Sequence, residues 1–188
     1  MEIGETLYLV NRNEWRSWLE ANFESSDEIW LIYPKKSSGK ARIVYNDAVE
    51  EALCFGWIDS IIKSLDENHS VQRFSPRRES TKTYSQPNKE RLKWLLQHGM
   101  VHASLEEAAR EAVKDEFEFP KDILEAIRQN ESAWLHFQSF SAAYQRIRLA
   151  YIESARERPE EFEKRLANFL KKTEAGKQIG FGGIDKYF

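Results

Sequence analysis

Asn46-Asp47-Ala48-Val49-Glu50-Glu51-Ala52-Leu53-Cys54-Phe55-Gly56-Trp57-Ile58-Asp59 decides the fold class, because the hydrophobic period changes inside it. Up to Gly56 the apolar residues Val49, Ala52 and Leu53 recur at helical spacing, which turns one face of a helix toward a core. Asp47 and Glu50 stand three apart, the spacing of a capping box, so a helix start is predicted there. Gly56 closes the helix, since glycine takes a positive φ without a steric cost. From Trp57 to Leu65 the chain is β-rich, Asp66-Glu67-Asn68 is a turn cluster, and Val71 to Phe74 returns, so this segment reads as a hairpin. A helix feeding a hairpin makes the N-terminal half a mixture of α and β.

The flanking segments extend that reading. Ile29-Trp30-Leu31-Ile32-Tyr33 is apolar on both faces, the pattern of an interior strand, and Pro34 with Ser37-Ser38-Gly39 ends it in a turn. Arg42 to Tyr45 is expected to return beside it, and Leu7 to Val10 reads as a further short strand. Asn13 is placed as the cap of a helix carrying Trp15, Trp18 and Leu19 and ending near Asn22. Beyond Ser85 every periodic segment is helical. Leu92, Leu95 and Leu96 precede Gly99, and Ser104 with Glu107 forms a second capping box. Pro120 opens a helix with Ile123, Leu124 and Ile127; Trp134, Phe137 and Phe140 follow. Ser141 caps a helix with Tyr144, Ile147 and Tyr151, and Pro159 opens a last helix with Phe162, Leu166, Phe169 and Leu170 before Gly176. The expected fold is α+β, with an antiparallel or mixed sheet and flanking helices in the N-terminal half and a helical C-terminal half. The boundary falls near Lys114 to Phe119, giving a sheet-containing domain over 1–115 and a helical module over 116–188. The tail from Gly180 to Phe188 carries too many aromatics for a solvated linker and is expected to dock on the body.

The totals narrow the function. In 188 residues, 41% hydrophobic, 31% charged and 13% aromatic composition excludes a disordered chain or a coiled coil. The formal charge of −3 supplies no global field for nucleic acid or anionic membrane, so nucleic acid is disfavoured as a partner. Met1-Glu2-Ile3-Gly4-Glu5 is acidic where an export signal would be basic, and no apolar run approaches the roughly 18 residues of a membrane span, so a soluble cytoplasmic chain without membrane insertion is expected. Cys54 is the sole cysteine, beside the core stripe, and reads as an inert buried thiol. His98 and His102 have the spacing of a metal pair, but Gly99 interrupts the helix and no third ligand is evident, so no metal site is expected. No dinucleotide or P-loop glycine pattern occurs, and no cofactor is expected.

Charge is distributed unevenly. Seven basic residues stand against two acidic ones between Arg73 and Lys93, a balance of +5, and nine acidic against four basic between Leu105 and Glu131, a balance of −5. The two runs either neutralise each other structurally or serve partners. In the second reading Arg73-Phe74-Ser75-Pro76-Arg77-Arg78 is an anion-binding loop, since arginine forks suit carboxylate or phosphate. Ser85 and Asn88 would add a helix start, and Lys35 and Lys36 the same rim. Asp59 falls on the face of Trp57 and Ile61, either as a general base beside an indole or as the partner of Arg73 or Arg77. The candidate surface is therefore Trp57, Asp59, Arg73, Phe74, Arg77, Arg78 and Tyr84. There the arginines hold charge, Trp57 and Tyr84 offer flat contact area, and Asp59 orients an arginine.

Several stretches resemble a known family. Trp15-Arg16-Ser17-Trp18-Leu19, Ile29-Trp30-Leu31 through Lys35-Lys36-Ser37-Ser38-Gly39, Tyr45 through Asp59 and Gln72-Arg73-Phe74-Ser75-Pro76-Arg77-Arg78 are similar to the YdeI/OmpD-associated, or bacteriocin-protection, family. Glu50 to Asp59 is the most specific of them. Phe119-Pro120-Lys121-Asp122 and Tyr144-Gln145-Arg146 fall where that family's C-terminal module expects them. Three departures stand out: Tyr84-Ser85 replaces the family's Trp-Ser, the segment from Arg78 to Tyr84 is slightly longer, and Glu160-Glu161-Phe162 stands where Thr-Arg is usual. The resemblance implies a bacterial accessory protein of resistance to bacteriocins or antimicrobial peptides, a stress-response role, a porin-linked partner and no established catalytic residues. The expected function is non-catalytic binding of an anionic small molecule or peptide at the arginine and aromatic surface. The alternatives are an enzyme using Asp59 as acid or base in the same pocket, and single-stranded nucleic-acid binding with Phe74, Tyr84 and Trp57 stacking on bases.

Overall fold

The computed structural model describes residues 2–77 and 84–180 and divides into two compact units, the first formed by 1–84 with 91–114 and the second by 85–90 with 115–188. In the first unit β1 (Thr6–Leu7) pairs parallel to β2 (Ile29–Pro34), β2 pairs antiparallel to β4 (His69–Pro76), and β4 pairs antiparallel to β3 (Trp57–Ser64). The sheet is thus mixed, in the order β1-β2-β4-β3. Its core face is set by register. Ile29 faces Phe74, Leu31 faces Gln72, and Asp59 faces Phe74, so the even positions of β4 look toward the helices α1 (Arg12–Asn22) and α2 (Tyr45–Cys54). Trp15 and Leu19 of α1, with Ala48, Val49, Ala52 and Leu53 of α2, close that core, and Trp15 donates from Nε1 to the Ala48 carbonyl at 2.9 Å. The helix α3 (Gln86–Gln97) gives Leu92 and Leu95 to the same core, and α4 (Glu106–Ala112) gives Ala109.

The expected fold class holds, and several local readings are corrected. Arg42 to Tyr45 forms no strand: Ile43 N donates to the Leu9 carbonyl, and the helix begins at Tyr45, three residues before the start that a cap at Asp47 predicts. Val44 occupies the cap position and offers no side-chain hydrogen bond. Glu50 is freed from capping and, with Glu51, is buried toward α1, where Arg12 and Arg16 meet them. Asn11, rather than Asn13, caps α1 by accepting from Glu14 N. Ser104 does not cap α4: a turn of 3-10 helix over Ala103–Leu105 precedes it. Gly56, at φ +70°, does end α2 as the period change predicts, and its carbonyl accepts from Arg77 N at 2.9 Å.

The second unit contains α5 (Lys121–Arg128), α6 (Glu131–Ser139), α7 (Ala142–Glu153) and α8 (Pro159–Glu174) around Ile123, Ile127, Ala133, Phe137, Tyr144, Leu149, Ile152 and Phe169. Ser141 caps α7 by accepting from Tyr144 N, and Pro159 stands at the start of α8, as predicted. Residues 85–90 belong to this unit, where Glu90, buried, accepts from Arg146 through both carboxylate oxygens at 2.7 and 2.8 Å. No helix of the described residues is long and apolar enough to cross a membrane. Arg78 and the tail beyond Gly180 lie outside the described residues.

Candidate functional site

The predicted cationic and aromatic surface does not assemble as expected, for a reason visible in the pleat. Neighbouring residues of β4 point to opposite faces. Phe74 therefore turns into the core, with no exposed surface, and meets the edge of Trp15 at 5.5 Å. Trp57 is 1% exposed; Trp18 lies edge-on to it at 5.7 Å and its indole N–H donates to the Phe23 carbonyl. Both aromatics are core side chains, not contact surface. Arg73 occupies the other face, where Nε donates to Glu28 Oε2 at 2.6 Å while Trp30 Nε1 donates to Glu28 Oε1 at 2.9 Å. Arg73 and Asp59 thus stand on opposite faces, and Asp59 orients neither arginine. Arg77 stacks its guanidinium 3.8 Å over the Tyr84 ring. Lys35 and Lys36 are exposed beside the turn at Asn68, whose carbonyl accepts from Lys35 N. That is the opposite end of β4 from Arg77, roughly 25–30 Å along a strand of this length. Ser85 and Asn88 belong to the second unit.

The Glu28 carboxylate is held below its ordinary value of 4.5 by the hydrogen bonds from Trp30 and then Arg73. A depressed carboxylate stabilises the fold fully above that ordinary value, and the contribution is lost as pH falls through the lowered one. In denaturant titrations, Arg73→Met should therefore lower the unfolding free energy at pH 7, and the gap to the parent chain should shrink steadily as the pH is taken below 4.5. A gap independent of pH would refute the pairing.

Asp59 takes a different position from either predicted one. Tyr45 OH donates to its Oδ2 at 2.7 Å and Gln72 Nε2 to the same oxygen at 3.0 Å. A register shift between Asp59 and Ile62 follows, so Ile62, opposite Gln72, shares this face where alternation predicted Ile61. The shift leaves Ile62 64% exposed at the rim of a hollow of about 370 Å³ lined by Tyr33, Arg42, Ile43, Val44, Tyr45, Ile62, Ser70 and Gln72. Val44 is also exposed, at 61%. Arg42 Nη1 donates to the Pro34 carbonyl at 2.7 Å. Tyr33 is 8% exposed, and its buried hydroxyl has no hydrogen-bond partner among the described residues. Burial pushes the phenol's ionisation up, with Tyr45 and Asp59 adding to the shift, so the group stays a neutral donor. Asp59 is not part of the lining. The sequence signal for this site was the phenol that ends an otherwise apolar strand just before Pro34.

The remaining candidates are structural. Burial pushes the Cys54 thiol up to about 12, which leaves it un-ionised. His98 stacks on Trp94 at 3.8 Å, and His102 Nδ1 lies 2.8 Å from Ser104 Oγ. Among the described residues no group of three His, Cys, Asp or Glu is placed to hold a metal ion.

Two family models match the chain. Residues 7–108 match a domain of unknown function (DUF8412), and residues 116–176 match the family described as bacteriocin-protection, YdeI or OmpD-associated. No curated protein and no solved structure matches. The likeness noted in the sequence is thereby divided: Phe119-Pro120-Lys121-Asp122 and Tyr144-Gln145-Arg146 fall within the second match, whereas the run from Glu50 to Asp59 falls within the first. Residues 116–176 are thus similar to the bacteriocin-protection, YdeI or OmpD-associated family, and the chain belongs, over more than half its length, to the family of that domain of unknown function.

Proposed function

We propose that the protein serves a bacteriocin-protection-like role as a non-catalytic binding protein whose N-terminal unit holds a small, partly apolar ligand in the hollow beside Tyr33. The match of residues 116–176 supports the role. The single observation that supports the binding site is the Tyr33 hydroxyl, buried without a partner among the described residues in a side chain that lines the hollow. A buried polar atom left unsatisfied costs about 1–3 kcal/mol, so a ligand that brings an acceptor to this hydroxyl gains that much on binding. The hollow is of ligand size, and Ile43, Val44 and Ile62 give it an apolar side.

The expected outcome is a trade between stability and binding. Tyr33→Phe should raise the unfolding free energy by about 1 kcal/mol, because it removes the unsatisfied group and keeps the ring. Benzamide, titrated into the isotope-labelled full chain, should shift the backbone amide signals of Val44, Tyr45 and Ile62, and bind more weakly to the variant. A variant less stable than the parent, or signals unmoved by benzamide, would overturn this reading.

A further inference from the structure

The hollow's wall also specifies a charge. We infer that it takes a small organic carboxylate with an apolar body, the carboxylate seated at the start of α2 beside Arg42 and Tyr33. The inference rests on the reading of the hollow as a ligand site and deepens it.

Three features converge there. The first N–H groups of a helix find no acceptor within it and carry the positive end of its dipole. At α2, a helix of ten residues, the cap position is held by Val44, whose side chain has no acceptor to give them, and Val44 and Tyr45 both line the hollow. Arg42, half-buried in the same wall, has no carboxylate partner among the described residues; its recorded bond is to the Pro34 carbonyl. Tyr33 supplies a donor that lacks an acceptor. A guanidinium, a helix start and a phenol hydroxyl can all donate to one oxygen-bearing group, and the first two carry positive charge or its equivalent, which suits a carboxylate.

The nearby acids do not fill that place. Asp59 is engaged by Tyr45 and Gln72 and stands outside the lining, and Asp47, in the first turn of α2, is paired with Arg12 at 3.5 Å. Ile43, Val44 and Ile62 then decide the rest of the ligand: a body that buries carbon rather than a second charge. A free inorganic anion would leave those side chains uncovered, so the class is an aryl- or alkyl-carboxylate.

The test compares 3-phenylpropanoate with 3-phenylpropanamide, which differ in the charged group, by titration of the full chain with the amide signals of Val44, Tyr45 and Ile62 as the readout. The acid should bind at least about tenfold tighter than the amide, the difference expected of charge-assisted over neutral hydrogen bonds. Val44→Asp puts a carboxylate at the cap, where aspartate stabilises helices. It should abolish the acid's advantage without lowering the melting temperature, and Arg42→Met should reduce that advantage while leaving the amide's affinity as it was. Equal binding of acid and amide would overturn the carboxylate class and leave the hollow a ligand site, as would an acid preference that survives Val44→Asp. If neither compound moves the signals the inference fails, and if benzamide is silent as well the ligand site fails with it.

Discussion

Phe74→Ala is expected to lower the unfolding free energy of the N-terminal unit by about 3–5 kcal/mol, the usual cost of emptying a fully buried aromatic site. Phe74 has no exposed surface, lies opposite Ile29 and Asp59 in the sheet, and packs its ring on the edge of Trp15. Its loss strips contacts from both the sheet and α1, which cannot close the gap without moving a helix. Because the chain has two compact units, the loss should appear in an unfolding transition assigned to the first unit by its tryptophans Trp15, Trp18, Trp30, Trp57 and Trp94. A surface aromatic serving a ligand would behave otherwise: its removal would cost less than about 0.5 kcal/mol. Chemical denaturation followed by fluorescence separates the two outcomes, and a near-neutral result would return Phe74 to the surface.

The second large effect is expected at Glu51. The residue is 1% exposed, and its carboxylate accepts from Arg12 Nε at 2.8 Å and from Arg12 Nη2, and from Arg16 Nη1 at 2.8 Å. Removing one partner of a fully buried pair costs about 3–5 kcal/mol. The two arginines are 29% and 36% exposed and recover part of their hydration, so Glu51→Ala should cost about 2–3 kcal/mol. Arg12 retains Asp47 at 3.5 Å and Glu50 at 3.6 Å, which limits the loss on its side. A double-mutant cycle with Arg16→Met should recover a coupling of about 1 kcal/mol. A Glu51→Ala variant as stable as the parent would show that the network does not hold α1 to α2.

Local chemistry made most of the fold legible. Gly56 announces the end of α2 because the left-handed turn it takes, at φ +70°, suits glycine, and the change from helical to alternating apolar spacing falls on the same residue. Ser141 and Pro159 mark helix starts for equally local reasons. The start of α2 was misread for a long-range reason. Asp47-x-x-Glu50 has the spacing of a capping box, but both carboxylates find Arg12 on α1, a long-range alternative that the spacing does not reveal. The site was less legible than the fold. Asp59 was correctly placed on the face of Trp57, yet that face is the covered one, because α1 lays Trp15 and Trp18 against it. Tyr33, Arg42 and Gln72 come from three segments that meet only through the pairing of β2 with β4 and the early start of α2. No short window contains that constellation.

The allotment of residues 85–90 bears on how the C-terminal module is passed on. The stretch that matches the bacteriocin-protection family begins at 116, yet the acid that both nitrogens of Arg146 grip, Glu90, is encoded 26 residues earlier, ahead of the last elements of the other unit. A gene segment copied from codon 116 onward would deliver α7 with an orphaned guanidinium. In this chain the two units are therefore interleaved in sequence rather than appended, and a graft that keeps Arg146 with its acid has to begin upstream of α3 or meet a recipient that supplies one.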